Sequence, residues 1–194
     1  MSKNFYIADT HFDHDAIISF DNRPFIFGAE EMNTALIKNW NGVVDKDDTV
    51  YILGDFCWST ADRWIEILKQ LNGNKELILG NHDLKNMPAK LKKMFQDIKE
   101  YKEIKDNGRD VVLCHYPIPC FKNHFYGWYH LYGHVHNSFE ANMMENTKRL
   151  MTDLYGEQCQ MYNVGCMMAY MDYTPRTLDE IVMGAKNNDE LRKV

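Results

Sequence analysis

Short apolar runs in this 194-residue chain repeatedly end on residues able to bind a metal or carry a proton. Residues 5–8 run into Asp9-Thr10-His11, and 49–53 into Gly54-Asp55. Residues 76–79 run into Gly80-Asn81-His82-Asp83, 110–114 into His115, and 130–132 into Gly133-His134-Val135-His136. The side chains offered are carboxylate, imidazole and amide, without thiolate. That mixture suits Mn²⁺, Fe or Zn²⁺ and holds too much nitrogen for Ca²⁺. Alternate residues of an extended segment share a side, so Asp9 and His11 are expected to converge, as are His134 and His136. Glycine at 54, 80 and 133 permits close backbone approach or positive φ where each run turns away. A lone histidine or Gly-Asp is ordinarily polar surface or a turn. Five such endings in register with five apolar runs point to one site.

The runs have the length of buried strands, and a sixth covers 160–164. Helical patterns separate several of them. Residues 30–41 place Met32, Leu36, Ile37 and Trp40 on one face behind an acidic first turn. A helix over 60–72 follows Ser59, whose spacing to Asp62 resembles a capping box, and Asn72-Gly73 supplies a stop. Pro88 opens a further helix running to about Phe95. Asn107-Gly108 between two strand-like runs signals a hairpin. Residues 141–155 read as a helical insertion, Thr177 and Glu180 again have capping-box spacing, and the polar tail 184–194 is expected to fray. The pattern is βαβ units followed by antiparallel strands, a single α/β domain over 1–194 with layered sheets and helices. In open α/β sheets, ligands bind beyond the carboxyl ends of the strands.

Composition narrows the function classes. The chain is 45% hydrophobic and 26% charged, ordinary for a globular domain, and no window is apolar for long enough to span a membrane. The first residues lack the basic and apolar regions of a signal peptide. Five cysteines with no CxxC pair read as reduced thiols, which fits a cytoplasmic protein. A net charge of −6 disfavours a nucleic-acid backbone as partner. The lysines at 90, 92, 93, 99, 102 and 105 are interrupted by Asp97, Glu100 and Glu103, as on a solvated face.

The motifs D-x-H, G-D, G-N-H-[DE], H and G-H-x-H occur in that order from Asp9 to His136. The set resembles the signature of the calcineurin-like metallophosphoesterases. The stretches ADTHFDHDAII, DNRPF and TVYILGDF are similar to small, cap-less bacterial and phage members described as predicted phosphoesterases. The resemblance implies a β-sandwich of two mixed sheets flanked by helices. It also implies two divalent metal ions, with Mn²⁺ favoured over Fe, Ni or Zn, bridged by Asp55. Asp9, His11 and His136 would complete one metal site; Asn81, His115 and His134 would complete the other. Phosphomono- or diesters would be hydrolysed by a hydroxide bridging the metals, with His82 protonating the leaving oxygen and Asp83 orienting the His82 ring. Arg23 is a candidate contact to substrate because guanidinium matches phosphate geometry, and His14 a second. The expected substrate is a small phosphate ester. A nuclease is the second enzymatic reading, weakened by the negative charge and the lack of room for a capping domain. A catalytically weak, protein-binding scaffold is a third, and such scaffolds are expected to lose ligands that this chain keeps. His124 and the aromatic stretch around it read as packing. Asn163-Val164-Gly165 is often seen after the last ligand pair, but Cys166, Met167 and Met168 depart from the polar residues that usually follow.

Overall fold

In the computed structural model, residues 2–191 are described. The first half alternates strand and helix: β1 (Asn4–Ile7), α1 (Asp15–Asp21), α2 (Ala29–Val43), β2 (Thr49–Ile52), α3 (Ala61–Leu68), β3 (Asn74–Ile78), α4 (Ala89–Lys92) and β4 (Asp97–Lys99). These four strands form a parallel sheet in the order β1-β2-β3-β4. An antiparallel bridge between Tyr6 and Arg176 continues it beyond β1. The second sheet contains β5 (Tyr101–Asp106), β6 (Arg109–Cys114), β7 (Tyr129–Tyr132) and β8 (Gln160–Asn163), also in sequence order. Helix α5 (Phe139–Tyr155) crosses between β7 and β8, and α6 (Leu178–Leu191) closes the described chain.

The apolar runs of β1, β2, β3, β6, β7 and β8 are continuous because those strands are covered on both faces. Tyr6, Tyr51, Leu53 and Ile78 of the first sheet meet Val111, Leu113, Leu131 and Tyr162 of the second, with Ile181 of α6 closing that layer. The alternate residues Phe5, Ile7, Val50, Ile52 and Leu77 pack outward against Met32, Leu36 and Trp40 of α2 and Trp64 and Leu68 of α3. Beyond the second sheet, Val112, Tyr132 and Met161 pack against Met151 of α5. No helix among the described residues is long and apolar enough to cross a membrane.

Several local expectations differ. The later strands are not all antiparallel: only β5 and β6 are, joined through Asn107 and Gly108 at φ 48° and 81°, while β6-β7-β8 run parallel. A helix or long loop intervenes before each parallel partner, as parallel pairing requires. Helix α3 is capped by Thr60, whose side chain accepts the Arg63 N–H, and not by Ser59. Helix α4 is a single turn. The Thr177–Glu180 capping box is present, with the Glu180 carboxylate accepting the Thr177 N–H at 2.8 Å. Helix α6 runs on through the polar tail to Leu191, with Ile181 and Ala185 buried against the sheets. Residues 192–194 lie outside the described residues.

Candidate metal centre

The strand ends converge, but not through extended backbone. Asp9, His11, Asp55, His134 and His136 have φ of 54°, 49°, 52°, 69° and 49°, all in the left-handed region. Left-handed backbone is costly for residues with a Cβ, by about 1–2 kcal/mol each. Here a loop-to-loop ladder holds it. The Asp9 N–H donates to the Gly54 carbonyl at 3.1 Å, and the His11 N–H to the Asp55 carbonyl at 3.0 Å. Of the three glycines, only Gly54 uses positive φ, at 83°. Gly80 and Gly133 serve close approach: a Cβ on Gly80 would lie 2.2 Å from Asp55 Oδ1, and one on Gly133 would lie 2.5 Å from Asp9 Oδ2.

Asp9, His11, Asp55 and His136 are buried, with candidate ligand atoms all within 4.8 Å of one another. Asn81, His115 and His134 adjoin them. The Asn81 side-chain oxygen lies 3.0 Å from His115 Nε2 and 2.9 Å from His134 Nδ1. Asp55 lies between the two groups, its Oδ2 3.7 Å from His11 Nε2 and 3.5 Å from His115 Nε2. Backbone N–H groups steady both carboxylates. His134 N–H donates to Asp9 at 3.1 Å, and His82 N–H donates to Asp55 Oδ1 at 2.9 Å.

The imidazole tautomers follow from their outer partners. His115 Nδ1 is 2.8 Å from the Leu53 carbonyl, which only accepts, so Nδ1 carries the hydrogen and Nε2 presents a lone pair inward. His136 Nδ1 donates to the Asp21 carboxylate at 2.9 Å, and its Nε2 likewise faces Asp9, 3.9 Å away. His11 Nε2 is buried with no hydrogen-bond partner. Neither carboxylate is paired with Lys or Arg among the described residues. Burial raises the Asp9 pKa, with His136 and His115 opposing it. Buried acceptors aimed at one another cost free energy unless something positive sits between them. The donor set therefore fits a divalent cation.

Three neighbours have roles that differ from expectation or were missed. Arg23 is not a substrate contact: its side chain is fully buried and its N–H groups are taken. They donate to Asp21 at 2.8 and 2.9 Å and to the Thr10 and Asp9 carbonyls at 3.0 and 2.9 Å. Asp83 does not hold the His82 ring. Its carboxylate accepts the N–H groups of Gly80, Phe56 and Asp55 at 2.8, 2.9 and 3.2 Å. It thereby pins the loop after β3 to the loop after β2. Burial pushes the Asp83 carboxyl up to about 6, against the pull of the Gly80 and Phe56 N–H groups. Asp21 was missed because, although it opens the DNRPF stretch at the end of α1, only Arg23 of that stretch was read as functional. Burial alone would lower the His136 pKa, but the Asp21 hydrogen bond and the charges of Asp9 and Asp21 raise it. Asn163 fixes the backbone of the same residue, its side-chain amide donating to the His136 carbonyl at 2.9 Å.

A cleft of about 370 Å³ opens over this group. His11, Asp55, Asn81, His82, His134 and His136 line its polar side, with His14 at the edge, and Ala16, Ile17 and Phe20 of α1 form an apolar wall. His82 is exposed. His14 stands 4.4 Å from the Trp58 ring and nearly parallel to it.

Residues 5–156 match the family model for calcineurin-like phosphoesterases. The chain belongs to that family. It is also 38% identical over 185 residues to an uncharacterized protein of Methanocaldococcus jannaschii, covering 94% of this chain and 90% of the relative. The Gene 66 protein of Mycobacterium phage L5 is 38% identical over 86 residues, covering 43% of this chain and 41% of the phage protein. Among solved structures, a protein of unknown function from Aquifex aeolicus aligns over 94% of this chain and 99% of its own, with a TM-score of 0.70 and 27% identity. The two-sheet architecture of this calcineurin-like phosphoesterase is thus shared along its length.

Proposed function

We propose that the chain is a metal-dependent phosphoesterase that hydrolyses small phosphomono- or diesters, with two divalent ions held around Asp55. Asp9, His11, Asp55 and His136 would hold one; Asp55, Asn81, His115 and His134 would hold the other. One observation carries this reading: buried acceptors converge on a single centre, with the His115 and His136 tautomers set by their outer partners and His11 Nε2 left unsatisfied. When bound, the ions would polarise the phosphate oxygens and lower the pKa of a water between them, a role open to Mn²⁺ first and to Fe, Ni or Zn with the same donors.

The chain's own part is positioning and proton delivery. Asp21 and Leu53 keep two imidazoles turned inward, as hydrogen-bonded outer partners of metal-binding histidines do. His82, held by its backbone to Asp55 and exposed at the cleft, delivers a proton to the leaving oxygen. His14, at the edge of the cleft, contacts the phosphate. The cleft volume favours a small ester over a nucleic-acid duplex.

The test is hydrolysis by metal-stripped protein with Mn²⁺, Fe²⁺, Ni²⁺, Zn²⁺ or Mg²⁺ restored. The panel comprises aryl phosphomonoesters, aryl diesters, cyclic nucleotides and DNA. Turnover of small esters is expected with Mn²⁺, absent in Asp55→Ala and slowed about a hundredfold or more in His82→Ala. Undiminished turnover in Asp55→Ala contradicts the reading, and a preference for DNA replaces it with the nuclease.

A further inference from the structure

His82 is a wall shared by two cavities. One is the cleft over Asp55; the other, of about 300 Å³, is lined by Cys57, Trp58, Ser59, His82 and Leu84. We propose that the second cavity is a leaving-group subsite for phosphate esters whose alcohol carries a planar aromatic ring, with Trp58 the specificity-determining side chain. The proposal rests on the phosphoesterase reading only through the role given there to His82.

The argument begins with the leaving oxygen, which is bonded to phosphorus on one side and to the alcohol carbon on the other. An acid that protonates it stands at the boundary between the two halves of the substrate. With phosphorus held in the cleft over Asp55, the alcohol extends past His82, where the second cavity lies. That cavity has no Asp, Glu, Lys or Arg in its lining. Burial raises the Cys57 pKa, so its thiol stays neutral. A second phosphate or a carboxylate on the alcohol would find no countercharge there.

Trp58 supplies what the cavity does offer. The residue stays 49% exposed while Trp40 and Trp64 are fully buried in the core. The indole lies 4.4 Å from the His14 ring at 10° and 5.0 Å from the His82 ring at 56°. It is presented from fixed backbone. The Trp58 N–H donates to the Phe12 carbonyl at 2.8 Å, and the Trp64 indole donates to the Cys57 carbonyl at 3.0 Å. Leu84 adds apolar surface to the lining. An aromatic ring seated there gains stacking beyond its buried area, enough for about tenfold in affinity.

Benzyl phosphate and ethyl phosphate release alcohols of similar acidity, so the pair isolates the ring. Two measurements use the Mn²⁺-loaded full chain: kcat/KM for each ester, and calorimetric affinity for benzylphosphonate and ethylphosphonate, which are not hydrolysed. The parent is expected to favour the benzyl compounds about tenfold in both. Trp58→Ala is expected to bring both ratios near one, and Trp58→Phe to keep most of the preference. A parent that binds the two phosphonates equally overturns the subsite, as does a Trp58→Ala variant whose ratios are unchanged. If no ester is turned over but the benzyl preference persists in binding, the phosphoesterase reading and the leaving-group role fall, while aromatic-ring binding at Trp58 stands.

Discussion

At Asp83 one carboxylate satisfies three backbone N–H groups that have no other partner in the loops after β2 and β3. Asp83→Ala strands buried donors and is expected to cost about 3 kcal/mol or more. His82→Ala alters an exposed ring and is expected to stay within about 0.5 kcal/mol of the parent. Urea unfolding of the metal-stripped proteins separates these, and similar losses would return Asp83 to a role centred on His82. Asp21 works through two partners, taking the His136 hydrogen and neutralising buried Arg23. Asp21→Asn keeps the size but cannot accept from both with full charge. A loss of about tenfold or more in Mn²⁺ affinity is expected by calorimetry, since outer partners tune ligands to that extent. Unchanged affinity would confine Asp21 to stability. Neither role was legible in the sequence. An Asp in a G-N-H-D motif reads naturally as a partner of its histidine neighbour, and nothing in the spacing shows Asp21 meeting His136 across 115 residues.

Glycines in the connecting segments act in two ways, and substitution separates them. Gly108 sits at φ 81° in open space, so Gly108→Ala bears only the left-handed penalty of about 1 kcal/mol. Gly80 is not at positive φ, but a Cβ there meets the Asp55 carboxylate and backbone. Gly80→Ala is therefore expected to displace Asp55 and cost Mn²⁺ affinity, while Gly108→Ala leaves it intact; equal effects would contradict the close-approach account. The strands carry a pH signature of their own at His130, buried in β7, whose Nε2 accepts the Ile118 N–H and whose Nδ1 faces the Val112 carbonyl. Burial lowers its pKa from 6.5 to about 4. The unfolded chain thus takes up the proton first as pH falls. Neutral His130 contributes about 3 kcal/mol above pH 6.5, lost progressively toward pH 4. In urea titrations of stripped protein, the stability gap between parent and His130→Gln is expected to narrow over that range; a constant gap would contradict the assignment. Element order was largely readable because buried strands leave unbroken apolar runs. Strand β4 was not, since Asp97–Lys99 carries one apolar residue, Ile98, and gains its place by pairing with β3 and by packing that one side chain on the core.

At the scale of the whole molecule, one parallel sheet and one mixed sheet bring polar loops from both halves of the chain to one centre. The sequence showed which residues meet there, because each motif follows a strand and strand ends share an edge. It misled about how they meet: the spacing fitted extended alternation, whereas left-handed backbone at Asp9, His11, Asp55, His134 and His136 turns the side chains inward. It also misled about Arg23, since burial of a guanidinium behind the site leaves no local trace. Such strain is maintained only where surrounding structure over-determines it, and the buried donor set it brings together fits a divalent cation. The central claim is two metal positions sharing Asp55, and the direct test is the number of Mn²⁺ ions bound per chain. Stripped protein titrated with Mn²⁺ is predicted to bind two ions, and Asp55→Ala one or none. A parent that binds fewer than two, or an Asp55→Ala variant that still binds two, would contradict the account.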